Sequence, residues 1–332
     1  MSPLETPLPE APSSAKPKKL LHRQWGGASF WLLFAIGGLV AGRLGQLYPR
    51  FDVFTQFSAQ FMAMAAGFSL AMLFSRYKTF VGIAITAGLL AAYGGWPHLV
   101  SSPLQQPPYP MAAGETLLRV AHFNTYKNNN DFKAITAEIL RLDADVVNLV
   151  EVSPEKMAAV LPSLKARYPY QYDCNGGRIC DMAILSIYPI SNASGVDEWE
   201  GAPYLRVSLG GAMAGVTVTG VHTTRFPFSR SQLRQVRELV KKLDWGPDQQ
   251  IIMGDFNSTP FSRVISTMEQ GANVKRLTEL PTWPATWQVP QLAIDHVFAS
   301  ANFRVVGNQQ IGNNAGSDHF PVLLTLALKR LP

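Results

Sequence analysis

The sequence is poor in cysteine, and its charged residues are unevenly distributed. It has two cysteines in 332 residues, Cys174 and Cys180, so a disulfide-rich scaffold is excluded. Two further ligands at suitable spacing are missing near this pair, which argues against a zinc site. Residues 28–96 carry very few charges, whereas residues 115–332 have the mixed composition of a soluble protein.

The excess positive charge belongs to the N-terminal region. Before residue 115 there are 8 Lys/Arg and 3 Asp/Glu, a balance of 8 − 3 = +5, and the remainder has 21 − 20 = +1. The C-terminal region therefore lacks the large positive excess that nonspecific nucleic-acid binders often carry. A local basic patch stays open.

Three apolar runs indicate a membrane anchor. They cover about Ala28–Leu47, Phe54–Phe74 and Thr79–Trp96, and each is near the roughly 20 residues that cross a ~30 Å hydrocarbon core. One cleaved signal peptide does not account for three runs. Two spans with an interfacial helix, or buried helices of a soluble domain, are the alternatives. The predicted organisation is a disordered basic tail (1–24), a membrane region of about three helices (25–96), a Pro-rich linker (97–114) and a catalytic domain (115–330).

Basic residues predict the orientation of this anchor. Cytoplasmic segments are enriched in Lys and Arg, and such residues precede the first run and separate the second from the third. Three crossings then place the catalytic domain on the periplasmic side of a bacterial inner membrane. Arg43 and Arg50 lie on the outer side and count against this orientation. The basic residues that favour it are Lys16, Lys18, Lys19, Arg23, Arg76 and Lys78.

The two cysteines bracket a Gly-rich turn, Asn175-Gly176-Gly177-Arg178-Ile179. Such a turn brings two thiols within bridging distance, and a disulfide suits an oxidising compartment. Two free thiols are the alternative.

Polar side chains follow several predicted strands of the C-terminal region. Strands are predicted over 117–123, 145–150, 182–186, 205–209, 216–221, 250–254, 293–299 and 321–328, with helices over 132–142 and 231–243. Polar residues on loops at strand ends are where active sites collect, and carboxylate and amide oxygens suit Mg²⁺. The residues at these ends are Asn124, Glu151, His222, Asp255, Asn257, Asp318 and His319.

These segments resemble the motifs of the endonuclease/exonuclease/phosphatase family, whose fold is that of deoxyribonuclease I. The resemblance covers about residues 117–328 and implies an α/β fold, a four-layered sandwich of two packed mixed β-sheets flanked by helices. The combination of Gly-Asp-Phe-Asn with Ser-Asp-His is specific, whereas either alone is weak. The matching segments, in family order, are Phe123-Asn124-Thr125, Val150-Glu151, Gly220-Val221-His222-Thr223, Gly254-Asp255-Phe256-Asn257, Ile294-Asp295-His296 and Gly316-Ser317-Asp318-His319.

The resemblance implies a metal site of three residues. Glu151 is expected to be the main metal carboxylate, and Asn124 a metal ligand through its amide oxygen. Asp318 is expected on the metal side of the centre, with local backbone capping as the alternative. The implied cofactor is Mg²⁺, with Mn²⁺ possible. Tyr126 stands where several DNA-repair members have an acidic residue, which puts a second metal in doubt.

The resemblance also implies five catalytic residues. His319 is expected to be the general base or a phosphate-contacting histidine, and Asp295 the carboxylate that orients it. Asp255 is expected to activate or position water, and Asn257 to hold the phosphate. His222 matches the second family histidine, a general acid or phosphate ligand. Which histidine is acid and which is base stays open.

The implied activity is metal-dependent hydrolysis of a phosphodiester or phosphomonoester by activated water. The substrate is either nucleic acid or a phospholipid or sphingolipid head group. The expected partners are therefore the lipid bilayer and a phosphate-ester substrate, and no protein partner is evident. The alternative is a catalytically inactive member that serves as a membrane-bound binding or signalling module.

Overall fold

The chain builds two mixed β-sheets that pack face to face. The computed structural model describes residues 18–74, 81–89, 115–174, 181–196, 201–243, 245–246 and 249–329. In the first sheet the strand order is β11-β13-β1-β2-β4-β3, with β12 also paired to β13, and in the second it is β5-β6-β7-β8-β10-β9. The strands are β1 (Thr116–Asn124), β2 (Val146–Val150), β3 (Tyr170–Asp173), β4 (Met182–Ser186), β5 (Ile190–Val196), β6 (Tyr204–Leu209), β7 (Val216–His222), β8 (Gln249–Asp255), β9 (Lys275–Arg276), β10 (Asp295–Ala299), β11 (Phe303–Val305), β12 (Gln310–Ile311) and β13 (Val322–Leu328).

Helices cover the outer face of each sheet. Apolar residues of the inner faces, such as Val120, Val218 and Met253, form one buried cluster between the sheets. A second cluster lies under two helices on the first sheet, and a third under two helices on the second. The predicted four-layered sandwich is therefore confirmed. With α1 (Lys18–Leu44), α2 (Ser58–Leu73) and α3 (81–89) near the N-terminus, the covering helices are α4 (Phe132–Leu142), α5 (Pro154–Ser163), α6 (Ser229–Lys242) and α7 (Arg263–Ala272).

The described part of the membrane region has two helical segments long and apolar enough to cross a bilayer, Gly27–Leu44 and Pro49–Leu73. The second begins as a 3-10 helix, Pro49–Phe57, and becomes α-helical at Ser58. Its α-helical part is therefore shorter than the predicted run. Of the third predicted run, only the helix at 81–89 lies within the described residues.

The other predicted boundaries of the N-terminal region agree with the structure only in part. Helix α1 already begins at Lys18, inside the predicted disordered tail, because Lys18, Lys19, Leu20, Leu21, Arg23 and Gln24 are good helix formers. Residues 1–17 and the linker 97–114 lie outside the described residues. Cys174 follows β3 and is disulfide-bonded, as the predicted pairing requires, while Cys180 lies outside the described residues.

Gly254 is the one position in the central strand β8 where any side chain is excluded. It pairs in parallel with Val221 of β7, and a Cβ atom there would lie 1.9 Å from the Val221 carbonyl oxygen. The contact is with backbone, so no side-chain rotation relieves it. The glycine of the Gly-Asp-Phe-Asn motif therefore has a packing role, since it lets β7 and β8 approach at the site.

We expect Gly254→Ala to lower the free energy of unfolding by more than the ~1–3 kcal/mol typical of overpacking, because the clash is with a strand. Thermal unfolding of the purified full chain, followed by circular dichroism, measures this. Gly210→Ala is the control, since its Cβ would lie 3.2 Å from the Pro189 Cβ and no closer than 3.5 Å to backbone. Equal melting temperatures of the two variants would contradict the interpretation.

Candidate active site

The site residues come together at one edge of the two sheets. Strands β1 and β2 are parallel, so Asn124 and Glu151 follow neighbouring strands at the same edge. In the second sheet, parallel β7 and β8 place His222 beside Asp255. Strand β10 is antiparallel to β8, and Asp295 at its start pairs with Asp255. Sheet packing therefore brings together residues that are far apart in sequence.

Asp255 is buried at the centre of this group. Its Oδ1 accepts a hydrogen bond from the Asn257 backbone N–H at 2.7 Å, and its Oδ2 accepts one from Asn124 Nδ2 at 3.0 Å. The Nε2 atoms of His222 and His319 lie 3.9 and 3.8 Å from the same Oδ2. Burial and the neighbouring charge of Asp295 raise the pKa of Asp255.

Asp295 accepts three side-chain hydrogen bonds. His319 Nδ1 lies 2.8 Å from its Oδ2, and Thr282 Oγ1 donates to the same oxygen at 2.5 Å. His122 Nε2 lies 3.0 Å from Oδ1. Although burial opposes ionisation, His319 and His122 lower the pKa of Asp295. The predicted pairing of Asp295 with His319 is present in the structure.

Both site histidines are held in the protonated form by surrounding carboxylates. Burial alone would lower both values, but Asp295 and Asp255 raise the pKa of His319 to about 10. The hydrogen bond that His222 donates to Asp181, with the charges of Asp181, Asp255 and Glu151, raises the pKa of His222 to about 9. At neutral pH each ring therefore carries a proton available for donation or for contact with phosphate.

Glu151 sits at a constrained turn. Its φ is +59°, in the left-handed region, which non-glycine residues rarely adopt. Its Oε2 accepts a hydrogen bond from the Lys127 backbone N–H at 2.7 Å, and its Oε1 one from Asn124 Nδ2 at 3.2 Å. These contacts fix the carboxylate at the mouth of the site, where it is partly exposed.

Asn124 bridges the two carboxylates through its nitrogen. Its Nδ2 donates to both Glu151 and Asp255, while its Oδ1 accepts from the Tyr126 backbone N–H at 2.9 Å. The predicted ligation through the amide oxygen would require this amide to rotate by half a turn. In this arrangement Asn124 holds the two acidic groups together.

Two of the predicted residues lie at the margin of the site. The Asn257 side chain donates to the Thr223 carbonyl at 3.0 Å, while its own backbone N–H holds Asp255. Asp318 Oδ2 accepts from Trp283 Nε1 at 3.3 Å, and its buried Oδ1 has no hydrogen-bond partner among the described residues.

The donor set fits a divalent cation. Glu151, His222 and Asp255 offer ligand atoms that all lie within 4.8 Å of one another, and so do Asp255, Asp295 and His319. Among the described residues, Asp318 belongs to neither group, which differs from its expected place on the metal side. Carboxylate oxygens suit both Mg²⁺ and Mn²⁺, whereas a protonated imidazole has no free lone pair for a metal ion, so the carboxylates are the expected ligands of either ion.

Three supporting residues were missed by the sequence reading. His122 alternates with Asn124 on one face of β1, and this period of two was a usable signal. Asp181 precedes β4, which is antiparallel to β2, so it lies at the site edge and its Oδ1 is 3.3 Å from His222 Nδ1. Nothing in the sequence around Lys156 indicated a role in the site, because it is a single lysine within a helix.

Lys156 ties together the two loops that carry the metal-side residues. Its ammonium is buried and donates to the carbonyl oxygens of Tyr126 at 2.6 Å, Glu151 at 3.0 Å and Thr125 at 3.3 Å. Burial lowers its pKa to about 8. Tyr126 and Glu151 both have positive φ, so this lysine stabilises two strained turns at once.

His296 is a core residue. It is fully buried between Phe256 and Phe298, and its Nε2 lies 2.8 Å from the Ser258 carbonyl oxygen. Burial and the charge of Arg276 lower its pKa to about 3, so the ring is neutral at physiological pH.

Comparison with known proteins places this geometry in a family. Solved structures share the fold at low identity. A protein described as an endonuclease/exonuclease/phosphatase family member from Bacteroides thetaiotaomicron is 15% identical, with 65% of this chain and 99% of that chain covered at a TM-score of 0.53. Sphingomyelinase C from Streptomyces griseocarneus is 16% identical, covering 63% and 99% at 0.50. The catalytic domain of human Nocturnin is 15% identical, covering 64% and 97% at 0.51.

At these identities the structural matches establish the fold alone. No curated protein matches the sequence. A family model, however, matches residues 121–319, a range that contains every predicted site residue and more than half of the chain. The chain belongs to the endonuclease/exonuclease/phosphatase family.

Proposed function

We propose that this protein is a membrane-bound hydrolase that cleaves phosphate esters with the help of a divalent metal ion, Mg²⁺ or Mn²⁺. The observation that carries the proposal is the shared position of Asp255, whose carboxylate belongs to two adjacent groups of potential ligands. The family description covers endonucleases, exonucleases and phosphatases, and one similar solved structure is a sphingomyelinase, so nucleic acids and lipid head groups are both candidate substrates.

In this proposal Glu151 and Asp255 hold the metal ion, and Asn124 keeps the two carboxylates at a fixed separation. A bound divalent cation supplies positive charge to phosphate oxygens and lowers the pKa of water. His319 and His222 both point toward this centre. Asp295 holds the His319 ring, and Asp181 holds the His222 ring. The protons of both rings are positioned to contact phosphate oxygens or to reach a leaving oxygen.

The retained polar set favours an enzyme over an inactive binding module. A pseudoenzyme is expected to have lost some of its catalytic side chains, and Glu151, Asp255, Asn257 and His319 are all present at one edge of the sheets. The site also has its supporting contacts, with Asp295 accepting three hydrogen bonds.

The full chain, purified in detergent, should hydrolyse at least one member of a panel of DNA, RNA, phospholipid, sphingomyelin and inositol phosphates when Mg²⁺ or Mn²⁺ is present. EDTA should abolish that activity. Glu151→Gln should fold normally and lose about 10²-fold or more in turnover, the order seen when a charge-stabilising group is removed. Calorimetric titration with Mn²⁺ should show weaker binding by this variant.

Glu155→Gln is the matched control, because Glu155 lies exposed in the first turn of α5. It should keep wild-type turnover and metal affinity. Full activity of Glu151→Gln in EDTA would exclude the metal mechanism. No hydrolysis across the panel, together with tight binding of one member, would favour the binding module.

His319 and Asp295 are expected to act as one unit because they share a 2.8 Å hydrogen bond. His319→Ala should lower turnover by about 10²–10⁴-fold, and Asp295→Asn by less. The double variant should lose little more than His319→Ala alone. Steady-state kinetics of all four proteins measures this, with Asp143→Asn, at an exposed helix end, as the control. Losses that multiply would show that the two side chains act separately.

We also propose that the catalytic domain lies on the periplasmic side of a bacterial inner membrane, with Cys174 and Cys180 joined. The supports are the three apolar runs of the sequence, two of which form described helices, the placement of Lys and Arg, and the disulfide-bonded state of Cys174. Alkaline phosphatase fused after Leu331 should be active in cells, and a green fluorescent protein fused there should be dark. A fluorescent fusion, with thiols that react without reductant, would reverse the assignment.

A further inference from the structure

The segment that joins the first two apolar helices is docked on the catalytic domain. We call residues 45–57 the connecting segment. Its Asp52 is 1% exposed, and the carboxylate accepts hydrogen bonds from Ser262 Oγ at 2.6 Å and from the Arg263 backbone N–H at 3.1 Å. Asp52 therefore caps the N-terminus of α7, a position that favours a negative charge.

Further polar contacts make this a specific interface. Gln56 Oε1 accepts from the Thr259 backbone N–H at 2.6 Å, and Thr259 Oγ1 donates to the Thr55 carbonyl oxygen at 3.1 Å. Arg263 donates to the Gly45 carbonyl oxygen at 2.7 Å. The side chains of Thr55, Gln56 and Thr259 are buried. Buried polar groups need partners, and these groups find them across the interface, except Gln56 Nε2, which has none among the described residues.

The docked segment also reaches the rim of the active site through three aromatic rings. Phe57 makes an edge-to-face contact with Phe226 at 6.1 Å, and Phe226 makes another with Trp283 at 5.9 Å. Trp283 donates to Asp318, the residue before His319. In the first turn of α2, Gln60 donates to the Gln291 carbonyl oxygen at 3.1 Å. The start of an apolar helix thus lies beside the site loops.

Large apolar side chains are exposed at this same place. Phe54 and Phe57 of the connecting segment are 36% and 37% exposed, and Phe228, Trp287 and Val289 of the site loops are 55%, 71% and 63% exposed. We call these five residues the apolar rim. Exposed apolar groups that cluster beside a polar cleft mark an interaction surface, and aromatic rings favour the membrane–water interface.

We propose that the apolar rim rests in the interfacial layer of the bilayer, so that the catalytic cleft opens toward lipid head groups. The partner is the lipid surface because the rim continues directly into α2, which is apolar enough to enter it. The docking orients the cleft relative to α2. The loop that follows Asp255 and Asn257 contains Thr259 and Ser262, which bind the connecting segment.

The docking also determines the number of crossings. If α1 and α2 both cross, the connecting segment lies on the far side from the N-terminus, and the catalytic domain that contacts it lies there too. Helix α2 leaves that side, so the domain can return to it only with one more crossing. Of the arrangements in which both helices cross, three spans therefore permit these contacts and two spans do not.

Nitroxide depth measurement tests the orientation. Val289→Cys and Ala166→Cys are each labelled in the full chain, reconstituted in phosphatidylcholine–phosphatidylglycerol nanodiscs. Both positions are exposed, and Ala166 lies near the start of β2, at the end of the domain opposite the site. The label at 289 should relax faster with oxygen than with a water-soluble nickel complex, and the label at 166 should show the reverse.

A second variant separates docking from burial of the rim. Asp52→Ala removes the α7 cap, and the label at 289 should then become accessible to the nickel complex. Equal aqueous accessibility at 289 and 166 in the unaltered background would overturn the proposal, as would an interfacial label at 166. These measurements require no enzymatic activity. The orientation can therefore be tested separately from the proposed hydrolysis.

Discussion

Two buried aspartates that face each other across antiparallel strands are the constraint around which the site is arranged. Asp255 and Asp295 are direct register partners of β8 and β10, and each is 1% exposed. Two like charges at such a position are unfavourable unless cations or hydrogen-bond donors compensate them. The surrounding residues provide that compensation, through His319 between the two carboxylates, His122 and Thr282 on Asp295, and Asn124 on Asp255. In the chemistry we propose, the negative charge of these carboxylates also binds the metal ion and keeps the histidines protonated.

The membrane region and the catalytic centre are coupled through one short loop. Residues 258–263 begin directly after Asn257 and end in the cap of α7, where they receive Asp52 and Gln56 of the connecting segment. The apolar helices therefore do more than tether the domain. Their connection contributes buried hydrogen-bonding groups to the loop that follows the Gly-Asp-Phe-Asn motif.

Sequence patterns predicted the long central strands well, because those strands combine apolar runs with polar ends. They missed α7, although its N-cap, Ser262, is a local signal, and they missed β5, whose Ser, Asn and Gly residues lack strand character. The site residues were predicted as polar residues at strand ends and from the resemblance to family motifs. Asp181 was missed because it precedes its strand, β4, and lies in none of the matching segments. The nitrogen-facing orientation of Asn124 depends on side-chain packing.

The shared cap of α7 has a consequence for laboratory use of the protein. A shortened chain that starts near Glu115 would leave Ser262, Thr259 and the first amide groups of α7 without the partners that Asp52, Thr55 and Gln56 provide. It would also expose the face of Phe226 that Phe57 now contacts. Such a soluble fragment would carry a loosened loop next to Asp255, so a weak rate measured on it would describe the truncation more than the native catalyst.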